Sequence, residues 1–305
     1  GYSQLFLKIP DKKIITTNWL SRFFNGTPQQ FKFIPITSYK INGNELLVEK
    51  YIDEDTTVSQ TYTAAQLNTT NSTALNKLLV TKKYWLGTDA YGRDILSRLI
   101  IGTRVSLAVG LIAVIISLTL GILLGALAGY YRGWIDELIM WLVNVSWSIP
   151  TLLLVFAISI SLGKGFWQIF IAVGLTMWVS VARLVRGQVM AVKELEFIQA
   201  AKALGFKNSR IILLHILPNI LGPLMVIAAG NFATAIIIEA GLSFLGIGVQ
   251  PPTPSWGLMI KENYNFIITH NPFLAIIPGI AIMILVLAFN LLGNGLRDAV
   301  DVKND

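Results

Sequence analysis

The spacing of apolar positions changes character about a third of the way along the chain. Up to residue 100, apolar residues come singly or in short alternating runs, broken by charges and by Thr- and Asn-rich stretches. Within that part, 36–41 and 45–52 flank Asn42-Gly43, a dipeptide suited to the tight turn of a β-hairpin. From Thr103 onward the apolar runs become long and uncharged. A helix needs about 20 mostly apolar residues to cross a bilayer. Five runs reach or approach that length: 105–131, 138–163, 165–182, 211–238 and 272–296. The third is the shortest, Pro150 breaks the second, and Pro218 and Pro223 fall in the first turns of the fourth. Prolines at membrane depth need neighbouring helices to satisfy the carbonyls they free, so these spans are expected to pack as a bundle. Gly121, Gly125 and Gly129 recur at every fourth position of the first run, a small-residue stripe that admits another helix closely. The uncharged run 240–260 carries Pro251, Pro252 and Pro254, and is expected to be a re-entrant or surface loop rather than a span.

Composition agrees with a membrane protein. The 305 residues are 54% hydrophobic and only 13% charged, with mean hydropathy +0.62; soluble domains carry about 25% charged residues. Much of the surface must therefore face lipid. The net charge of +7 orients the chain. Residues 183–210 hold Arg183, Arg186, Lys193, Lys202, Lys207 and Arg210, whereas the loops before and after hold only Lys164 and Lys261. Cytoplasmic loops collect Lys and Arg, so 183–210 is placed inside, and alternation puts the 132–137 turn and the C-terminus inside and residues 1–100 outside. Three regions follow. Residues 1–100 form an extracytoplasmic segment with a hairpin and a lead-in helix, 101–298 a transmembrane domain with a cytoplasmic loop at 190–217, and 299–305 a tail.

Several chemistries are not expected. No basic stripe is interleaved with aromatics, so nucleic acid is not a partner. There is no cysteine, and His215 and His270 stand alone, so neither a metal site nor a cofactor is expected. No Gly-x-x-x-x-Gly-Lys-Ser/Thr loop is present to hold nucleotide. No nucleophile–base or paired-carboxylate cluster suggests an enzyme.

The informative cytoplasmic stretch is 194–219, ELEFIQAAKALGFKNSRIILLHILPN. It reads as two short helices. The first runs from about residue 193 to 204 and stops at Gly205, which is expected at positive φ. Phe197, Ala200, Ala201 and Leu204 make one apolar stripe kept shallow by the alanines. Asn208 or Ser209 is expected to cap the second helix, which leads into the fourth span. Such a stripe suits a groove on a partner protein; equally, the helix could lie on its own bundle or in the lipid interface.

This stretch resembles the coupling loop of binding-protein-dependent ABC importer permeases, whose signature is Glu-Ala-Ala, three residues, Gly, nine residues, Ile, one residue, Leu-Pro. Gln199, Ala200, Ala201, Gly205, Leu217 and Pro218 stand at that spacing, with Gln199 in place of the Glu and His215 in place of the Ile. Two further segments resemble the second permease subunit of dipeptide, oligopeptide and nickel importers: 85–98 (WLGTDAYGRDILSR) with 102–107, and 239–248 (EAGLSFLGIG) with the proline-rich 251–257. The resemblance covers residues 84 to 298. It implies an all-α polytopic membrane protein, a type I importer bundle with five spans where the family usually has six, and a mixed N-terminal segment. The missing first span and the absent initiator Met are both expected if the chain has lost its N-terminus. It further implies a permease for peptides or similar small solutes in the bacterial cytoplasmic (inner) membrane. The implied partners are a second permease subunit forming a heterodimer, two ABC ATPase subunits and an extracytoplasmic solute-binding protein. Glu196, Gln199, Ala200, Ala201, Gly205, Leu217 and Pro218 are then the residues that couple to the ATPase.

An ion-coupled secondary transporter is the alternative. Such proteins carry ionisable groups at mid-bilayer, whereas Arg104, Asp136, Glu137, Arg183, Arg186 and Glu239 here fall at the expected span ends. Asn144, Ser146, Asn231 and Asn290 are polar within spans and are candidates to line a solute path, with interhelical hydrogen bonding the commoner use of such residues. Glu239 is expected at the interface, His215 packed near the cytoplasmic surface, and Trp134, Trp141, Trp167 and Trp256 as interfacial anchors. Residues 1–83 are expected either to be disordered or to form an insertion over the translocation mouth that meets the binding protein or the partner permease. Their many apolar residues, Trp19, Phe31, Phe33, Leu46 and Tyr51 among them, favour packed structure.

Overall fold

A computed structural model of the chain describes residues 2–10, 18–19, 22–23, 31–43, 45–51, 57–64, 66–67, 75–89, 92–163, 165–269 and 272–301. The chain divides into two compact units, Gly1–Ile101 and Gly102–Asp305. Of the residues singled out above, His270 and Lys164 lie outside the described set, as do parts of 11–30, 52–56 and 68–74.

The first unit is a five-stranded antiparallel sheet of β1 (Tyr2–Pro10), β2 (Phe31–Asn42), β3 (Glu45–Tyr51), β4 (Thr57–Thr63) and β5 (Leu79–Tyr84), in the order β4-β3-β2-β1-β5. The expected hairpin is present: Asn42 pairs with Glu45, and Gly43 takes φ 60, a conformation that glycine adopts without a Cβ penalty. Alternation decides the faces. Leu7, Ile34, Ile36, Leu46 and Val48 share one face and are closed over by Leu67 and Leu75. The other face is cationic and aromatic. Phe6 meets Phe33 and Tyr84 edge to face, Lys8 lies 3.7 Å above the Phe31 ring, and Lys82 lies 3.1 Å above Phe33. Burial, with Lys8 nearby, holds the Lys82 amine below the usual lysine range. After β5, Asp89 gathers Arg93 (2.7 Å) and Arg98 (2.5 Å). Asp94 then caps the following helix by accepting the Ser97 N–H at 3.1 Å. The lead-in helix is thus the first turns of a long helix, α1 (Ile95–Tyr131), and not a separate element.

The helical unit continues with α2 (Gly133–Ser148), α3 (Thr151–Ser161), α4 (Phe166–Lys193), α5 (Glu196–Ala203), α6 (Asn208–Phe244), α7 (Trp256–Asn263), α8 (Phe266–Thr269) and α9 (Phe273–Asp301). Four of these helices are long and apolar enough to cross a membrane, and the α2–α3 pair adds a fifth if it counts as one span. That pair is bent by 98° at Ile149-Pro150, because the residue before proline is driven out of the helical region. The expectation for 165–182 needs correction. The third span is a 28-residue helix that carries Arg183 and Arg186 within it, since paired charges do not terminate a helix as they terminate a hydropathy run. Arg186 forms a two-pronged ion pair with Asp136 of α2 at 2.5 and 2.6 Å, and Arg183 donates to Asn144 at 3.0 Å while stacking 3.7 Å from Trp147.

The glycine stripe forms the α1–α4 seam. A Cβ on Gly125 would stand 2.5 Å from the Ala182 carbonyl, and one on Gly129 2.7 Å from the Arg186 carbonyl. Only glycine permits backbones this close. In α6, Pro218 supplies no N–H, and the helix adjusts through a π turn at Ile211–Ile216 and a 3₁₀ turn at Leu217–Ile220. Beyond α6 the proline-rich run returns as a packed loop and the short α7, capped by Ser255, whose hydroxyl accepts the Leu258 N–H at 3.2 Å.

Two expectations here are overturned. Trp256 is no interfacial anchor: it is 4% exposed and lies against Gly102. Glu239 is not an interfacial charge but is fully buried on α6. Its Oε1 accepts the Ser243 hydroxyl at 2.6 Å. Ser243 Oγ in turn accepts the Val249 N–H at 2.9 Å and lies 3.3 Å from Ser255. A hydropathy reading cannot see this, because the serines that hold the carboxylate come from both sides of the turn.

Candidate functional site

The 190–217 stretch sits where α1, α4 and α6 end together. α5 leaves α4 after a break at Glu194-Leu195 and begins without a side-chain cap. Glu196 lies in its first turn and Lys202 in its last, each at the helix end that its charge favours. Ile198 and Ala201 face inward and are buried with Val189, Val192, Ile211 and Ile216. Phe197, Ala200 and Leu204 face outward, Leu204 with 74% of its surface free. The apolar stripe read from the sequence is therefore two faces. Ala201 belongs to the inner one, because successive positions on a helix turn by about 100°. Exposed Leu213 and Leu214 add apolar surface at the base of α6.

The end of α5 is closed by its own backbone. Gly205 has φ 76, its N–H donates to the Lys202 carbonyl at 2.9 Å, and the Phe206 N–H donates to Ala201 at 3.2 Å. This is the paired-bond ending that needs a left-handed residue, and no neighbouring atom would obstruct a Cβ there, so conformation alone selects glycine. Phe206 stacks on His215 (6.0 Å between centroids, 11° between planes) with the Arg210 guanidinium 4.5 Å from its ring. His215 is thus a packing residue of the elbow. Neither Asn208 nor Ser209 caps α6: Lys207 takes the cap position with no side-chain bond. Asn208 instead accepts the Tyr130 hydroxyl of α1 at 2.8 Å, and Lys193 of α4 donates to the Tyr130 carbonyl at 2.6 Å. Tyr130 ties together three helix ends. In the sequence Tyr130 only closes an apolar run, and no local spacing marks it as a tie between helices. Gln199 folds back, donating to the Glu194 carbonyl at 3.1 Å, and so does not supply the charge of a glutamate. Leu217 is half-buried on the elbow core and Pro218 is exposed.

The four candidate path residues do not come together as a bonded group. Asn144 bonds to Arg183, Ser146 is half-buried on α2, Asn231 is buried on α6, and Asn290 is exposed on α9. Among the described residues no hydrogen bond joins any two of them.

Residues 121–304 match the family described as "Binding-protein-dependent transport system inner membrane component". A dipeptide transport system permease protein, DppC, of Alkalihalophilus pseudofirmus is 46% identical over 221 residues, 72% of this chain and 72% of that protein. A glutathione transport system permease protein, GsiD, of Escherichia coli is 46% identical over 222 residues, 72% of this chain and 73% of that protein. The fold is similar to that of a chain in the inward-facing MetNI methionine ABC transporter, with a TM-score of 0.56 at 20% identity over 68% of this chain and 97% of the other. Neither kind of likeness lends support to the ion-coupled alternative.

Proposed function

This chain belongs to the family of binding-protein-dependent transport system inner membrane components, the permease subunits of ABC importers, and from that premise we propose that α5 is the surface on which an ATPase subunit docks. The observation that carries the reading is the division of α5. Its inner face is fixed to the bundle core through Ile198 and Ala201, while Phe197, Ala200 and Leu204 stay open to a partner. A helix held this firmly on one side transmits a push on the other into α4 and α6. Glu196, Gln199, Gly205, Leu217 and Pro218 shape or flank that surface. The two ATPases of the importer dock one on each permease, and the second permease is a different chain, making a heterodimer. An extracytoplasmic binding protein delivers the solute. The membrane is the bacterial inner membrane, with the end of α4 and the 194–210 stretch on its cytoplasmic side. Likeness to dipeptide and glutathione permeases supports peptides or similar small solutes as cargo.

The test is Ala200→Arg in the reconstituted complex, with ATP hydrolysis and solute uptake measured together. The expected result is an assembled bundle whose uptake is lost or no longer follows hydrolysis. Normal coupled uptake would overturn the docking reading.

A further inference from the structure

The two edges of the N-terminal sheet are finished differently. The β5 edge carries Lys82 and Lys83, each folded over an aromatic ring (Phe33 at 3.1 Å, Trp85 at 4.6 Å). Lysine on an edge strand is a common guard against pairing with another chain. The β4 edge, TVSQTYT, has no charge and no proline, and among the described residues it pairs with β3 alone. Its backbone direction can be worked out. Asn42 and Glu45 flank a two-residue loop and so face each other through hydrogen bonds, which leaves Glu45 turned away from Thr63. Consistently, Thr63 donates its N–H to the Gln66 side chain (3.2 Å), and its carbonyl accepts from the Gln66 and Leu67 amides. Main-chain direction alternates along a strand, so Thr61, Ser59 and Thr57 also turn their N–H and C=O groups to the open side. Among the described residues, the hydrogen bonds β4 makes beyond β3 are those of Thr63.

We propose that this edge pairs with the same edge of a second copy of the chain, antiparallel about a two-fold axis at Gln60. The strand is self-complementary about that residue. Val58 meets Tyr62, Ser59 meets Thr61, and Gln60 meets Gln60, while Thr63, whose outward groups are held by Gln66 and Leu67, closes the pairing at either end. These are the hydroxyl pairs and the aromatic with β-branched pair that stabilise antiparallel neighbours, with no like charges opposed. An isologous contact requires such self-complementarity, which an arbitrary seven-residue edge lacks. Ser59 and Thr61 supply the outward backbone groups that form the central bonds. Val58 lies on the core side of the sheet yet is 48% exposed; in the pair, the partner copy's Tyr62 covers it and the two cores join at the seam. One strand edge is a small interface, so the association is weak and concentration-dependent.

The chain has no cysteine, so a single introduced thiol reports the register. The experiment uses the full chain in its purified, detergent-solubilised complex, concentrated and mildly oxidised. Gln60→Cys sits on the axis, where opposed Cα atoms lie within disulfide reach. It is expected to give a reducible dimer of the 33.6 kDa chain. Val58→Cys alone is displaced from its own copy and is expected to give none, whereas Val58→Cys mixed with Tyr62→Cys restores it. Gln60→Lys abolishes association by opposing two cations, and mixing it with Gln60→Glu brings it back. Dimer from Val58→Cys alone as readily as from Gln60→Cys would mean random collision and overturn the proposal. So would absence of dimer at Gln60→Cys, or a Gln60→Cys adduct with a different subunit.

Discussion

Along the α1–α4 seam, Gly121, Gly125 and Gly129 press against Val181, Ala182, Val185 and Val189 with no room for another carbon. On α5, Phe197 and Ala200 stand in the open a few residues further along the chain. Both surfaces are stripes of small and apolar residues at helical spacing. The difference lies in what anchors the other side of each helix. α4 is flanked by partners on both faces, so its stripe is consumed within the bundle. α5 is only 8 residues long and is spent on the core by its inner face, so the outer one remains over. A stripe in the sequence therefore states that a contact is made, and the length of the helix and its neighbours decide with whom.

The seam gives the largest expected effect. Gly125→Leu would drive a side chain into the Ala182 backbone, which cannot retreat without moving α4. The cost is expected at about 3 kcal/mol or more, seen as loss of monodisperse complex and a collapse of its thermal midpoint. Gly187 of α4 faces open space, so Gly187→Ala is expected to be neutral or slightly stabilising, by up to about 1 kcal/mol. Equal damage from both would mean that the seam is not the tight contact described.

Next comes a pair of adjacent alanines. Ala201→Arg buries a guanidinium among Ile198, Ile211 and Ile216, and an uncompensated buried charge costs about 3–5 kcal/mol. It is expected to abolish assembly, so it is unsuited to test docking. Ala200→Arg, one position away, is expected to leave the midpoint within about 0.5 kcal/mol of the parent and to affect coupling alone. Identical loss of assembly in both variants would erase the distinction between the two faces of α5.

What could be read beforehand follows the same division. Spans, hairpin and the short helix α5 were legible because each is written in local spacing: apolar runs for α1 and α9, Asn42-Gly43 for the turn, Gly205 for the helix end. The ionic and polar ties were not. Asp136 and Arg186 are 50 positions apart in the chain and read as two loop charges, yet they pair between α2 and α4, and α4 runs on past Arg186 to Lys193. Tyr130, Asn208 and Lys193 meet only because three helices end at one place. The sheet beyond its one hairpin was illegible for the same reason, since β1 finds β5 across more than 70 positions.

The buried knot at Glu239 ranks third. Ser243→Ala would leave both Glu239 Oε1 and the Val249 N–H without the partner they share. An orphaned buried group costs about 1–3 kcal/mol. The expected outcome is a complex that assembles but melts earlier, with faster proteolysis in the 245–255 return loop. Ser243→Thr keeps the hydroxyl and is expected to recover most of the loss. An unchanged midpoint in Ser243→Ala would show that the loop is held by packing of Val249 and Trp256 alone.

The smallest effect sharpens the comparison most, because it touches α5 without touching either face. Gly205 has open space around it and is glycine only for its φ of 76. Gly205→Ala adds a methyl group that meets nothing and charges only the left-handed penalty, about 1 kcal/mol. Asn tolerates that region better, so Gly205→Asn is expected to cost less than Ala, and the β-branched Gly205→Val more. The order Asn, Ala, Val in falling thermal midpoint would establish that conformation is the constraint. If coupling of uptake to ATP hydrolysis fell in the same order while the seam stayed intact, the tilt of α5 on its elbow would be what the docking surface depends on. A flat series would mean that the Phe206–His215 stack fixes the elbow without help from the backbone ending.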